Sequence, residues 1–490
     1  MKELASGDMH NMRPSLSGAA AAGTNGLVAF GLIPSNATES TGDTIGGIGS
    51  AIALAEFVRL GNGSYSGTLV VQPDRGFNVD GTIDYQGRQH RISFTLTPYY
   101  SSTPLSFSAA QRTLALLYRD TLLYVERDDK TTTGLDALGV RAAQTGFPEV
   151  ADADPVVPIA GSGGGGGDPD RLSLDLEGLV LNGDSSFWVS DEYGPYIYRF
   201  DAQGGLLQAI QPPDAIVPLV DGELNFTSVD DPDTGRAGNQ GFEGLTTDSA
   251  GATLYALLQS ATIQDGGNKK KNARHARLLA YNISDPSQFR PSLVGEWVVP
   301  LPLDTDNKTL GASELHFVSP GVFLVLARDG GGHGGDDTLS AYKQADLIDI
   351  SGATDIHGTK FDDPANPVSP KGKLDSAVVP ANYVGFVSLI NATQLARFGL
   401  HNGDPADQAL IDAKWESLAL APVGDPQYPD DYFLFTAADN DFISTHGIAL
   451  GVPFDAGLDN DNQMLVFRVT LPSAVPGDIE DELLTPVWGR

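Results

Sequence analysis

Cysteine is absent from the 490-residue chain, which removes disulfides, thiolate metal sites and cysteine nucleophiles together. No apolar run reaches the ~18 residues a membrane-spanning helix needs. Basic residues are scarce: 30 Lys and Arg against 63 Asp and Glu give a formal net charge of −33. That field repels polyanions, so nucleic acid and an acidic membrane surface are excluded as partners. With only 8 histidines and no thiols, zinc is a poor expectation. Neither G-x-S-x-G nor H-E-x-x-H occurs, which disfavours an α/β-type serine hydrolase and a zincin. Amphipathic helices are equally few, the best being barely two turns around Ala392 to Phe398.

What is abundant is turn formers, 57 Gly and 31 Pro, separating short β-branched and aromatic runs. Examples are Thr68-Leu69-Val70-Val71, Ile92 to Leu96, Phe187-Trp188-Val189, Val322 to Leu326 and Tyr432 to Phe435. Runs bounded in this way are strands, and the chain reads as all-β. A repeat sets the architecture. LDLEGLVL (174–181), QGFEGLTT (240–247), GASELHFV (311–318) and AKWESLAL (413–420) each carry a Glu in one frame, followed by a turn and a second apolar strand. A third run follows in YIYRFDA, ARLLAYNIS and QMLVFRVTL, and an earlier unit, IGGIGSAIALAEF, fits the plan without the Glu. A four-stranded blade cannot bury both faces alone, so the expectation is a β-propeller of five to seven blades. Residues 1–26 read as a flexible N-terminal segment with a mature end, since no compact apolar stretch follows a basic start. Residues 27–490 read as one domain, with the glycine-rich run 161–167 as a loop.

In a propeller the innermost strands line the axis, so Glu177, Glu243, Glu314 and Glu416 are expected to form a ring of carboxylates. Such a ring opposes folding unless a cation compensates. Ca²⁺, which takes six to eight oxygen ligands, is the expected cofactor. Asp191-Glu192, Arg328-Asp329 and Asp439-Asn440-Asp441 end second strands at the same rim. Asp191, Asp439 and Asn440 join the expected metal set, Asn239 adds a candidate carbonyl, and Arg75, Arg328, Asp329 and Glu192 are expected to act on substrate. Guanidinium forks suit phosphate or carboxylate oxygens. Lys269-Lys270-Lys271 is the strongest local basic patch, read as a solvated loop that can also hold an anion. Asp459 to Asn462 lacks the glycine and glutamate of a calcium loop and reads as a turn.

Sequons at Asn36, Asn62, Asn225, Asn282, Asn307 and Asn391 point to N-glycans and a secreted, extracellular protein. GTLVVQPDRGFN, FWVSDEYGPYIYRFDAQGGLL, NQGFEGL, LYALLQS, VFLVLARD and AADNDF are similar to the phytase-like proteins grouped as "esterase-like activity of phytase", secreted fungal members among them. The similarity spans roughly residues 40 to 475. It implies a secreted propeller that hydrolyses esters or phosphoesters. One residue departs from that pattern: Ala327 stands where an acidic residue is expected before Arg328. Taken together, the residues and the resemblance point to a Ca²⁺-dependent hydrolase of phosphoesters or carboxylic esters, with a small anionic or ester substrate. A lactonase-like hydrolase on the same scaffold and a non-catalytic, calcium-stabilised binding propeller are the alternatives.

Overall fold

A computed structural model describes residues 23–77, 81–153 and 171–474. Its strands form five four-stranded antiparallel sheets, the blades of a five-bladed β-propeller. Blade 1 runs from its inner strand Ala51–Arg59 through Tyr65–Gln72 and Arg88–Leu96 to Leu114–Leu123. Blade 2 comprises Leu176–Leu181, Phe187–Asp191, Ile197–Phe200 and Leu206–Ile210. Blade 3 comprises Phe242–Thr247, Thr253–Leu258, His275–Asn282 and Ser292–Pro300, and blade 4 Gly311–Ser319, Val322–Arg328, Lys343–Asp349 and Asn382–Ser388.

Blade 5 takes three strands from the C-terminal region, Lys414–Pro422, Asp431–Asp439 and Asn462–Thr470. Its outer strand is Gly23–Ile33, which pairs antiparallel from Gly23 opposite Thr470 to Ile33 opposite Asn462. This closing strand begins within the stretch expected to be flexible. Residues 1–22 and the glycine run 161–167 lie outside the described residues.

Each seam between blades holds one apolar cluster, which is why a blade is stable only beside its neighbours. Tyr124 of the segment after blade 1 packs on Phe187 and Phe200 of blade 2. Trp188 and Ile197 meet Leu254 and Ala256 across the next seam. Leu278 and Phe323 belong to the third, Leu326 and Trp415 to the fourth, and Leu69 and Phe433 to the fifth. Burying one such side chain contributes about 1.5–3 kcal/mol. Toward the axis the strands converge and side chains must shrink: a Cβ on Gly178 would stand 2.5 Å from Leu245 Cβ. Below its mouth the axial channel narrows to a cavity of about 60 Å³ lined by aliphatics such as Ile52, Leu179, Leu245, Leu315 and Leu418.

The expected two-turn helix is the single turn Ala392–Ala396, capped by Asn391, whose side chain accepts from Gln394 N. Among the described residues no helix is long and apolar enough to cross a membrane.

Candidate active site at the channel mouth

The first residues of each inner strand and the last residues of each second strand lie at the same end of the propeller, because the two run antiparallel. The repeated Glu begins the inner strand, and a β-bulge falls there in four blades. In blade 2 Glu177 and Gly178 together oppose Ser190, in blade 3 Glu243 is the extra residue, and in blade 5 Glu416. A bulge re-aims the side chain it carries. Neighbouring blades hold these backbones: Gln72 Nε2 donates to Glu177 O at 2.8 Å and Ser190 Oγ to Glu243 O at 3.1 Å.

In blade 4 the unpaired residue is Ser313, one position earlier, and Glu314 stays in the ladder opposite Leu326. Its carboxylate accepts from Leu315 N at 2.8 Å and Leu245 N at 3.2 Å. Glu314 lines the aliphatic channel, below the cluster the other three form.

Eight carboxyl groups converge at the mouth: Asp74, Asp175, Glu177, Glu192, Glu243, Glu416, Asp439 and Asp441. Three cations face them, Arg75, Arg328 and Lys414. The charge is unevenly served. Lys414 Nζ lies 2.6 Å from Asp439 and 2.8 Å from Asp441, so the group Asp74, Asp439, Asp441 holds its own counter-ion. Arg328 is paired with Glu416. Arg75 reaches Asp175 at 3.3 Å and donates to Asn239 Oδ1 at 2.9 Å.

Asp175, Glu177 and Glu192 form a second group whose oxygens lie within 4.8 Å of one another. Here Glu177 Oε2, Glu192 Oε1 and Glu243 Oε2 are buried with no hydrogen-bond partner among the described residues. Burial, then the charges of Glu243 and Glu192, push the Glu177 carboxyl well above the usual carboxylate range. Glu243 is pushed up to about 8 by burial and the neighbouring Glu416, against the opposing pull of Arg328. Glu192 is likewise pushed well above the usual carboxylate range by burial and by the neighbouring charges of Glu243 and Asp175. Gln259 Nε2 donates to Glu243 Oε1. Each of these shifts favours the protonated carboxyl.

Other expected site residues do different work. Asp191, pushed up to about 7 by burial, accepts from the backbone N–H of Asp175 and Gly194, both at 2.8 Å, and of Tyr193 at 3.3 Å. It therefore shapes the turn that presents Glu192. Asn440 Oδ1 accepts from Gly47 N and Phe442 N, while its Nδ2 donates to Asn460 O, bracketing blade 5 to the segment before blade 1. Asp329 accepts from Ala341 N, Tyr342 N and Ser340 Oγ, closing the loop after its strand. Asp459 accepts from Thr445 N and Asp461 from Ser35 N, as in a structural turn.

Asp74, Asp175, Lys414 and Gln259 were not anticipated, and Asp441 was placed only at the rim. A signal for two of them was present: Asp175 and Lys414 each stand two residues before the repeated Glu, and residues i and i+2 of a strand share a face.

Residues 65–392 match the phytase-like family "Esterase-like activity of phytase". The chain belongs to this family. It is also 41% identical over 457 residues, 86% of this chain and 88% of the other, to an "Uncharacterized secreted protein" of Arthroderma benhamiae. Among solved structures it is similar to a Trichoderma reesei protein of Carbohydrate-Active Enzymes Family AA12, at 10% identity and a TM-score of 0.31 over 94% of this chain and 99% of that one. It also resembles a putative 6-phosphogluconolactonase of Bacteroides uniformis, at 11% identity and a TM-score of 0.27 over 84% and 85%. Membership of the phytase-like family fits a hydrolase.

Proposed function

We propose that this phytase-like propeller is a secreted, divalent-cation-dependent hydrolase of phosphoesters or carboxylic esters, with Ca²⁺ the resident ion. The observation that carries the reading is the trio of buried, unpartnered oxygens on Glu177, Glu192 and Glu243. A buried acceptor left unsatisfied costs about 1–3 kcal/mol, and three on carboxyls that feel one another's charge favour a cation. The donors are carboxylate oxygens without nitrogen or sulfur, which suits Ca²⁺ over zinc. Asp175, Glu177, Glu192 and Glu243 would hold it, while Lys414 already neutralises the Asp74, Asp439, Asp441 group. Bound there, the ion would supply Lewis-acid polarisation of an ester or phosphoryl oxygen.

The chain's own groups supply the rest. Arg75 and Arg328, each with a buried Nε that has no partner among the described residues, orient an anionic or ester oxygen at the mouth. Glu192 and Glu243, both held above the usual carboxylate range by burial and neighbouring charge, are placed to take a proton from water and return one to the leaving group. Asp191 and Asn440 act by fixing the turns that carry these side chains. Secretion is supported by the 41% identical secreted relative. Five of the six sequon asparagines, Asn36, Asn62, Asn282, Asn307 and Asn391, are exposed and Asn225 is half-buried, which supports N-glycans there.

The test measures metal content of the purified chain, then turnover of p-nitrophenyl phosphate, p-nitrophenyl acetate and a sugar lactone. Chelator is expected to abolish turnover on one of these, calcium to restore it, and Glu177→Gln to weaken calcium binding at least tenfold by calorimetry. Turnover that persists in excess chelator would refute the metal dependence. A calcium-bound protein inert on the whole panel would instead favour the binding propeller.

A further inference from the structure

Beside the mouth, between blades 3 and 4, a cleft of about 400 Å³ is bordered by Gln259, Lys270, Lys308, Thr309 and Arg328. The geometry points to this cleft as the subsite for a second anionic group, a phosphate or carboxylate, carried by the substrate away from its scissile ester. This rests on the hydrolase reading only for the word substrate; the anion site stands on its own residues.

Three of the chain's 30 basic side chains border this one cleft, in a protein of formal charge −33. Their charges are incompletely used. Lys270 is exposed, and among the described residues no ion pair or side-chain hydrogen bond engages its ammonium. Among the described residues Lys308 meets only Asp306, at 3.5 Å, with both side chains largely in solvent, a contact worth little. Arg328 spends Nη2 on Glu416 but keeps a buried Nε with no partner among the described residues. Thr309 is 8% exposed, and its Oγ1 is buried with no partner among the described residues.

Two carboxylates also border the cleft, and both are committed to backbone. Asp304 Oδ1 accepts from Asp306 N and Lys308 N, each at 2.8 Å. Asp329 caps its own loop and faces Lys343 at 3.4 Å. Thr309 N donates to Lys270 O at 2.7 Å, which holds the two lysine-bearing loops side by side.

Continuity with the mouth comes from two residues that belong to both. Gln259 borders the cleft and donates to Glu243, and Arg328 borders the cleft and pairs with Glu416. An ester seated at Glu177, Glu192 and Glu243 therefore has its next substituent over Lys270 and Lys308. The combination selects substrates with more than one anionic group over neutral esters, since a free ammonium and guanidinium N–H reward an oxyanion.

Calorimetry on the full chain with pyrophosphate and, separately, citrate tests the assignment, in chelator and in calcium. Pyrophosphate or citrate is expected to bind in chelator, and K270Q/K308Q to weaken that binding at least tenfold. Both lysines are exposed, so the double variant should keep the wild-type Tm. Stronger binding of pyrophosphate marks a phosphate subsite, stronger binding of citrate a carboxylate one. Thr309→Val should weaken the preferred anion further. Binding unchanged in K270Q/K308Q, binding that requires calcium alone, or no binding of either anion would overturn the subsite. If lysine-dependent binding is found while every ester resists turnover, the subsite stands and the hydrolase reading falls.

Discussion

Titrating Glu243 should make the calcium-free protein weaken as pH rises, and calcium should remove the effect. Its carboxyl is pushed up to about 8 from an ordinary 4.5. A raised folded value means that stability is fully present below the unfolded value and is lost as pH climbs toward the folded one. At about 1.4 kcal/mol per tenfold change in proton affinity, the span from pH 5 to pH 8 costs about 4 kcal/mol. Unfolding entropy of ~2 cal/mol/K per residue gives about 1 kcal/mol/K for a chain this long, so Tm should fall by about 4 °C. The assay is thermal melting in chelator across that range for wild type and Glu243→Gln, repeated with calcium. The variant should lack most of this slope, and calcium should raise the wild-type Tm more at pH 8, where it no longer competes with protons. Parallel curves for wild type and variant in chelator, or an equal calcium shift at both pH values, would refute the reasoning.

Lys414→Met leaves Asp439, Asp441 and Glu416 without the ammonium that serves them; a loss of about 3–5 kcal/mol is expected in denaturant unfolding. Gly178→Ala drives a Cβ to 2.5 Å from Leu245 Cβ and 2.8 Å from Glu243 O. About 1–3 kcal/mol of stability should be lost, with calcium affinity falling as the bulge shifts Glu177. Deleting residues 1–33 exposes the Asn462–Thr470 edge and should give an aggregating chain with a lost cooperative melt, checked by circular dichroism and light scattering.

The strands and the propeller plan were readable because a propeller repeats itself: one Glu in one frame marks four inner strands. Blade number was harder to read, since the spacing between successive Glu residues stretches where residues 350–381 join the third and fourth strands of blade 4. The N-terminal strand of blade 5 carries no mark of its partner, because pairing between residues more than 400 apart leaves no local period. At the mouth, an Asp closing a strand looks alike whether it faces the axis or ties a turn. Asp191 and Asn440 tie turns, while Asp74 and Asp441 face the shared charge. Glu314 differs from its three counterparts through the one-residue displacement of a bulge, which the aligned letters conceal.

Blade 5 unites the first described strand with the last. During synthesis the ring therefore cannot shut until the final strand has emerged, and Gly23–Ile33 waits without a mate while four other blades assemble. A chain rewired so that both ends fall in the loop between two whole blades would be freed from that wait, and should close in the order in which it is translated.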